Sequence, residues 1–220
     1  HFEARRQRQM CIRDRSEGDH VAIFDGKNGE WLAQIDVVGK KKGVLRCLKM
    51  TKPQKNPPDV WLMFAPIKKA RTDFIVEKAT ELGVALILPL QTDFTNSERI
   101  KQDRLQDHAI EAAEQCGGTF VPKVADLSRL EKLLSNWPVD RFLLFCDEGK
   151  VGERVEFQDL PIGKWAILLG PEGGFSEKER KYIRAMQNSF SLSLGPRILR
   201  ADTAAVAALT LWQNALGDWT

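Results

Sequence analysis

Two segments of this 220-residue chain place chemically capable residue types at short spacing. In WAILLGPEGGFSEKE an apolar run ends at Leu169, and Gly170, Glu172, Gly173 and Gly174 follow at once. Glycines at the carboxyl end of a strand let backbone N–H groups approach a ligand closely. In parallel sheets those ends are where ligands bind. The alternative is a plain glycine turn, which three glycines in five residues make the weaker reading. Ser176 and Glu179 have capping-box spacing for a helix behind the loop. The second segment, SLSLGPRILRADTAAVAALTLW, breaks after a strand at Gly195-Pro196. Ile198 and Leu199 then fall in a loop, where they either line the pocket of a flat apolar ligand or tuck into the core. Arg200 is either a surface cation or the partner of an anionic or transition-state group. Asp202 is placed to N-cap the last helix.

Other chemistries lack their residues. No G-x-x-x-x-G-K-[ST] is present, and no G-x-G-x-x-G follows a strand. The three histidines (His1, His20, His108) and the missing G-x-S-x-G give a hydrolase triad little to build on. Cys11, Cys47, Cys116 and Cys146 lie far apart with no C-x-x-C pair, which argues against a zinc site and a disulfide framework and for a reducing, cytoplasmic setting. No apolar run approaches the roughly 18 residues of a spanning helix, and the first residues lack the pattern of a secretory signal. Hydrophobic residues at 43% are enough for a sizeable core. Charge is uneven: residues 1–55 hold 13 Lys+Arg against 7 Asp+Glu, and the remainder 20 against 23. A basic end on a near-neutral body suggests a module that faces a polyanion, the plain alternative being a solvated lysine-rich face.

The elements that must position these segments follow from periodicity. Residues 1–16 show neither helical nor strand spacing. From His20 the chain reads as short strands joined by tight turns: HVAIF, the turn DGKNGE, WLAQIDVV with Trp31, Ala33, Ile35 and Val37 on one face, and a third strand in KKGVLRCLKM. That pattern suggests a small β-barrel. TKPQKNPPD carries three prolines and reads as a linker. Beyond it, apolar runs at 60–65, 84–90, 141–146, 165–169 and 190–194 alternate with helical spacing over 71–82 and 98–116, in a helix with Leu130, Leu133 and Leu134, and after Ser176 and Asp202. Strands apolar on both faces and alternating with helices predict an α/β domain with a parallel sheet covered on both sides. The expected division is 1–52 for the barrel, 53–59 for the linker and 60–220 for the α/β domain.

LLGPEGGFSEKE and LSLGPRILRADTAAVAAL together closely resemble the signature loops of the RsmE-like bacterial 16S ribosomal RNA uridine-N3 methyltransferases, a family of the SPOUT (α/β-knot) superfamily. RTDFIVEKATELGV (71–84) and EAAEQCGGTFVP (111–122) agree, and the resemblance spans about residues 18–218. It departs at Asp202, where the family carries Glu, and at Gly118, where it carries Arg. The resemblance implies a PUA-like β-barrel for RNA binding followed by a methyltransferase domain with a trefoil knot. The knot loops would bind S-adenosylmethionine through Phe145–Asp147, Leu169–Gly174 and Leu192–Leu199. The residues carried over are Phe145, Leu169, Gly170, Glu172, Gly173, Gly174, Leu192, Leu194, Gly195, Ile198 and Leu199. No metal is implied.

The implied reaction is methyl transfer to N3 of a uridine in 16S rRNA. Arg200 would stabilise the uridine anion, and Asp202 is the candidate base. RNA affinity is expected from Lys40, Lys41, Lys42, Arg46, Lys69 and Arg71, since phosphate contacts give affinity rather than sequence choice. The implied partners are 16S rRNA or the small ribosomal subunit and a second copy of the chain. Ala204, Ala208 and Leu211 near one stripe of the last helix, widened by Val206, Leu209 and Trp212, suggest the dimer face. Two competing readings are a non-catalytic RNA-binding or ribosome-assembly protein of the same fold, which has no need of the two glycine loops, and a Rossmann-type oxidoreductase, which lacks its fingerprint.

Overall fold

The structure, a computed structural model, describes residues 16–39, 43–97, 99–147 and 157–219. Two readings therefore fall on residues outside the described ones: the absence of regular spacing over most of 1–16, and the lysine run Lys40, Lys41 and Lys42. The described chain forms two compact units, one of the residues up to Asn56 with Gly118–Phe120, the other of Pro57–Gly117 and Val121 onward.

The first unit is a three-stranded antiparallel sheet in the order β1-β2-β3, with β1 at His20–Phe24, β2 at Glu30–Val37 and β3 at Val44–Lys52. The β1–β2 turn is held by Asp25, whose Oδ1 accepts the N–H groups of Lys27 and Asn28 at 2.9 and 2.8 Å. One face buries Val21, Ile23, Ala33, Ile35 and Leu45, with Trp31 against them. Val37, expected on this face, is exposed, because the β2–β3 register shifts between Ile35 and Val37 and breaks the alternation.

The second unit is a parallel sheet between two helical layers. Its strands are β4 (Val60–Phe64), β5 (Leu86–Gln91), β6 (Lys123–Val124), β7 (Ser128–Arg129), β8 (Arg141–Cys146), β9 (Lys164–Leu169) and β10 (Ser189–Leu192). The order is β10-β8-β9-β4-β5-β6, β7 also pairs with β5, and every pairing is parallel. The helices are α1 (Lys69–Glu81), α2 (Gln102–Gln115), α3 (Leu130–Ser135), α4 (Glu177–Arg184) and α5 (Ala201–Leu216). No described helix is long and apolar enough to cross a membrane.

Strand side chains alternate between the faces, which divides the core in two. Val60, Leu62, Phe64, Leu144, Cys146, Trp165, Ile167 and Leu169 face one side, with Ile75 and Ala79 of α1, Leu105 and Ala109 of α2, and Ala205, Leu209 and Trp212 of α5. Met63, Leu143, Phe145, Ala166 and Leu168 face the other, with Leu130 and Leu134 of α3 and Ile183 of α4. At the amino end of the sheet Arg141 is buried. Its guanidinium donates to both carboxylate oxygens of Asp59 at 2.9 and 3.0 Å and to the Trp165 carbonyl at 2.8 Å, and it stacks 3.5 Å from the Trp61 ring centroid. Helix α1 stops at Gly83 (φ 72°), the left-handed conformation that glycine adopts freely, with the Val84 N–H closing on the Ala79 carbonyl.

Candidate functional site

Strands β9 and β10 flank β8, so the chain reverses its progress across the sheet there. Crevices at such reversals, beyond the carboxyl ends of the strands, are where parallel sheets bind ligands. A cavity of about 300 Å³ lies at this place. Cys146 and Asp147 enter it from the end of β8, Leu169–Gly174 from the end of β9, and Leu192–Gly195 with Arg197–Ala201 from the chain after β10. Ala204, one turn into α5, completes it.

Ten of the eleven expected cofactor residues line this cavity: Leu169, Gly170, Glu172, Gly173, Gly174, Leu192, Leu194, Gly195, Ile198 and Leu199. Phe145 does not, and its place is corrected. Alternation along β8 turns Phe145 to the opposite core, where its ring meets Phe175 at 5.0 Å in an edge-on contact. The residues that reach the cavity from β8 are Cys146 and Asp147.

The loop after β9 is held from behind. A Cβ on Gly170 would lie 2.7 Å from Cε2 of Phe175, so only glycine fits against that buried ring. Gly174 has φ 69° and donates to the Pro171 carbonyl at 2.9 Å, a turn that L side chains resist. The expected capping box is present: Ser176 Oγ accepts the Glu179 N–H at 3.3 Å, and Glu179 Oε2 accepts the Ser176 N–H at 2.9 Å. Ser176 Oγ also donates to Asp93 Oδ2 at 2.5 Å, and the Asp93 N–H donates to Glu179 Oε1 at 2.9 Å, which fastens the loop to the end of β5.

Asp147 was only part of an expected loop, yet it is the cavity's most constrained polar residue. It is buried, its Oδ1 accepts from Arg180 Nη1 at 2.7 Å, and its Oδ2 accepts from Arg184 Nε at 2.9 Å and from Arg184 Nη2. Arg180 Nε also donates to the Phe175 carbonyl at 3.0 Å. The signal in the sequence was the Arg180/Arg184 pair at i, i+4 facing an acid directly behind an apolar strand. Arg197 was likewise only part of an expected loop, and Ala201 and Ala204 were missed as cavity residues, although they share one helical face by their i, i+3 spacing.

The start of α5 differs from expectation. The N-cap is Arg200, with extended backbone angles, and its carbonyl accepts the Ala204 N–H at 2.7 Å. Asp202 therefore lies inside the first turn, where Oδ1 accepts the Thr203 N–H at 3.0 Å. Arg200 lines the cavity and Asp202 does not. Among the residues expected to meet RNA, Arg46 is exposed on β3 and donates to Asp36 at 2.9 Å, and Lys69 is exposed at the start of α1. Arg71 instead reaches two acids, with Nη1 3.8 Å from Glu172 Oε1 and Nε 3.6 Å from Asp202 Oδ2.

The stripe of α5 taken as a dimer face is corrected in part. Ala204, Ala208, Leu209 and Trp212 are buried against this chain's own core, because the helix lies on the sheet along that stripe, and Leu211 is exposed. Among the described residues no group of three or more His, Cys, Asp or Glu side chains gathers to hold a metal ion.

Residues 54–213 match the RNA methyltransferase domain family. Ribosomal RNA small subunit methyltransferase E of Rickettsia conorii is 30% identical over 87% of this chain and 79% of its own length. The Bacillus subtilis protein of the same name is 30% identical over 89% and 81%. A methyltransferase of Legionella pneumophila, solved in complex with the cofactor S-adenosylmethionine, superposes with a TM-score of 0.84 at 30% identity over 94% of this chain and 87% of that one. Ribosomal RNA small subunit methyltransferase E of Neisseria gonorrhoeae, bound to S-adenosylmethionine, gives 0.80 at 28% identity over 97% and 90%. With its parallel sheet reversing at β8 and its two glycine loops meeting at one cavity, this chain belongs to the ribosomal RNA small subunit methyltransferase E family of the SPOUT, or α/β-knot, superfamily.

Proposed function

We propose that this chain is an S-adenosylmethionine-dependent methyltransferase that modifies N3 of a uridine in 16S rRNA of the small ribosomal subunit, acting in the cytoplasm. The observation that carries the reading is the cavity itself. Its walls are mostly loop backbone and aliphatic side chains, and Ile198 stands 77% exposed on its rim, an apolar surface that a flat base would cover. Gly170 and Gly173 let the loop pack closely on Phe175 and Phe94, which a Cβ would meet at 2.7 and 3.2 Å, and so set the cavity wall. Leu169, Leu192, Leu194, Ile198 and Leu199 would hold the adenosine part of the cofactor. When bound, S-adenosylmethionine supplies a methyl group activated by its sulfonium, which leaves as a neutral thioether.

The chain's own residues would do the rest. Uridine N3 is nucleophilic only without its proton. Arg200, exposed beside the cavity, would stabilise the resulting anion. Asp202 would accept the N3 proton as the carboxylate of the adjoining helical turn. Holding the nitrogen in line with the methyl group supplies much of the acceleration.

The first unit, with Lys40, Lys41, Lys42 and Arg46, is read as a PUA-like barrel domain, and Lys69 as a further phosphate contact. A homodimer through the outer face of α5, around Leu211, completes the reading. Calorimetric titration with S-adenosylmethionine and mass spectrometry of rRNA from a deletion strain test it. The expected results are one cofactor site per chain and loss of a single N3-methyluridine. An unchanged rRNA would refute the reading.

A further inference from the structure

The cavity is bounded by the chain after β8, after β9 and after β10, and one side chain from α1 ties the second of these to the start of α5. Glu172 projects from the loop after β9, and Asp202 from the first turn of α5. Arg71, in the first turns of α1, lies 3.8 Å from the one carboxylate and 3.6 Å from the other. These are ion-pair separations rather than direct hydrogen bonds. The three side chains are only partly exposed, at 31% for Arg71, 46% for Glu172 and 20% for Asp202, so solvent screens them less than it would free surface charges.

We infer that Arg71 is a positioning residue for methyl transfer, which holds Glu172 and Asp202 together across the cavity rim. The inference rests on the methyltransferase reading above. Glu172 lines the cavity and Asp202 flanks it; two carboxylates drawn to one place repel each other, and the one in the cavity opposes the growth of negative charge on a substrate nitrogen. A guanidinium between them removes both penalties and fixes the rim, because its planar fork meets two acceptors at once. Its base is firm: α1 buries Thr72, Ile75, Val76 and Ala79 under the sheet, and the Thr72 hydroxyl exchanges hydrogen bonds with the Ile67 N–H and carbonyl at 3.0 and 3.1 Å. The rim is therefore referenced to the sheet through Arg71, and no other cation forms an ion pair with Glu172 or Asp202 among the described residues.

A cation already engaged by two acids is poorly placed to grip an RNA phosphate. This separates Arg71 from Lys69, two residues before it and exposed.

The test is a mutational cycle in the full-length protein: Arg71→Met, the pair Glu172→Gln with Asp202→Asn, and all three together. Each variant is assayed by calorimetric titration with S-adenosylmethionine, by steady-state kinetics on small ribosomal subunits and by thermal melting. Arg71→Met is expected to melt as wild type, to bind the cofactor several-fold more weakly, and to lose about 10²-fold in kcat with KM for RNA little changed, because a rim displaced by about 1 Å misaligns the reactants. Adding Arg71→Met to the double carboxylate variant is expected to cost less than about twofold more, since its partners are already gone. A rise in KM for RNA with kcat intact and additive losses would overturn the inference and make Arg71 a phosphate contact, leaving the methyltransferase reading in place. Wild-type protein that binds no S-adenosylmethionine would overturn both.

Discussion

Adding one methyl group at Gly170 tests whether the loop after β9 is held by the ring behind it. A Cβ there would lie 2.7, 3.1 and 3.2 Å from three carbons of Phe175. A flexible side chain could swing away, but Phe175 is 2% exposed and packs edge-on against Phe145, which is itself fully buried. Either the ring is pushed into a filled core or the loop shifts toward the cavity. Inserting a methyl group into such packing costs about 1–3 kcal/mol. If the ring yields, the cost is read as lost stability. If the loop yields, it is read as weaker cofactor binding, about tenfold for each 1.4 kcal/mol. Urea titration and calorimetry on Gly170→Ala measure the two shares, which are expected to sum to that range. Phe175→Leu makes room, so in Gly170→Ala/Phe175→Leu the two effects should fall short of additive by about 0.5–3 kcal/mol. A Gly170→Ala protein with unchanged midpoint and unchanged cofactor affinity would refute the claim that this ring positions the loop.

Four further outcomes follow from the same geometry. Gly174→Val places a β-branched residue at φ 69° and is expected to cost about 1–3 kcal/mol, seen as loss of cofactor binding by calorimetry in a protein that still melts cooperatively. Arg141→Met removes charged hydrogen bonds to Asp59 far from the cavity, and is expected to lower stability by about 1.5–3 kcal/mol with cofactor affinity unchanged. In the first unit, the hydrogen bond from Thr51 and the charge of Lys52 outweigh burial and hold the Glu30 carboxyl below its usual 4.5. Its contribution to stability is therefore complete above that value and fades as the pH falls through the lower folded value, so in urea titrations between about pH 6 and pH 3 the variant Thr51→Val should lose less stability than wild type. RNA affinity should fall steeply with salt, and replacing Lys40, Lys41, Lys42 and Arg46 with Ala should reduce the slope by about 0.7–0.9 for each phosphate contact removed.

The longer strands of the second unit were legible because each is a short apolar run, and β8 coincides with RFLLFC at 141–146, whereas the two-residue β7, Ser128–Arg129, carries no such signal. β10 ends at Leu192, two residues short of the apolar run, because Leu194 joins the cavity wall rather than the ladder. Which way each strand residue faces was not legible. A strand covered on both sides shows no polar alternation, so nothing in FLLFC distinguishes Phe145, which packs away from the cavity, from Cys146, which lines it. The same ambiguity affected α5, whose alanines suit another subunit and the chain's own sheet equally well. The sheet decides it, by lying under Ala204, Ala208 and Trp212 and leaving Leu211 exposed.

The loops that line the cavity were readable because they are built of local signals: glycines after strands, a capping box and apolar residues in loops. Charged groups around the cavity form pairs that meet only in the fold. Asp147 has meaning beside Arg180 and Arg184, and Arg71 has meaning between Glu172 and Asp202. In the sequence each is one charge among 63, and nothing local sets it apart from solvated surface. Burial separates them: an acid with no exposed side-chain surface must be neutralised by its neighbours, and Asp147 is neutralised by two arginines of one helix. Those arginines are thereby drawn away from RNA and into the scaffold. Arg197 and Arg200 line the cavity with no ion pair among the described residues, and Arg200 is the one proposed to meet the substrate anion.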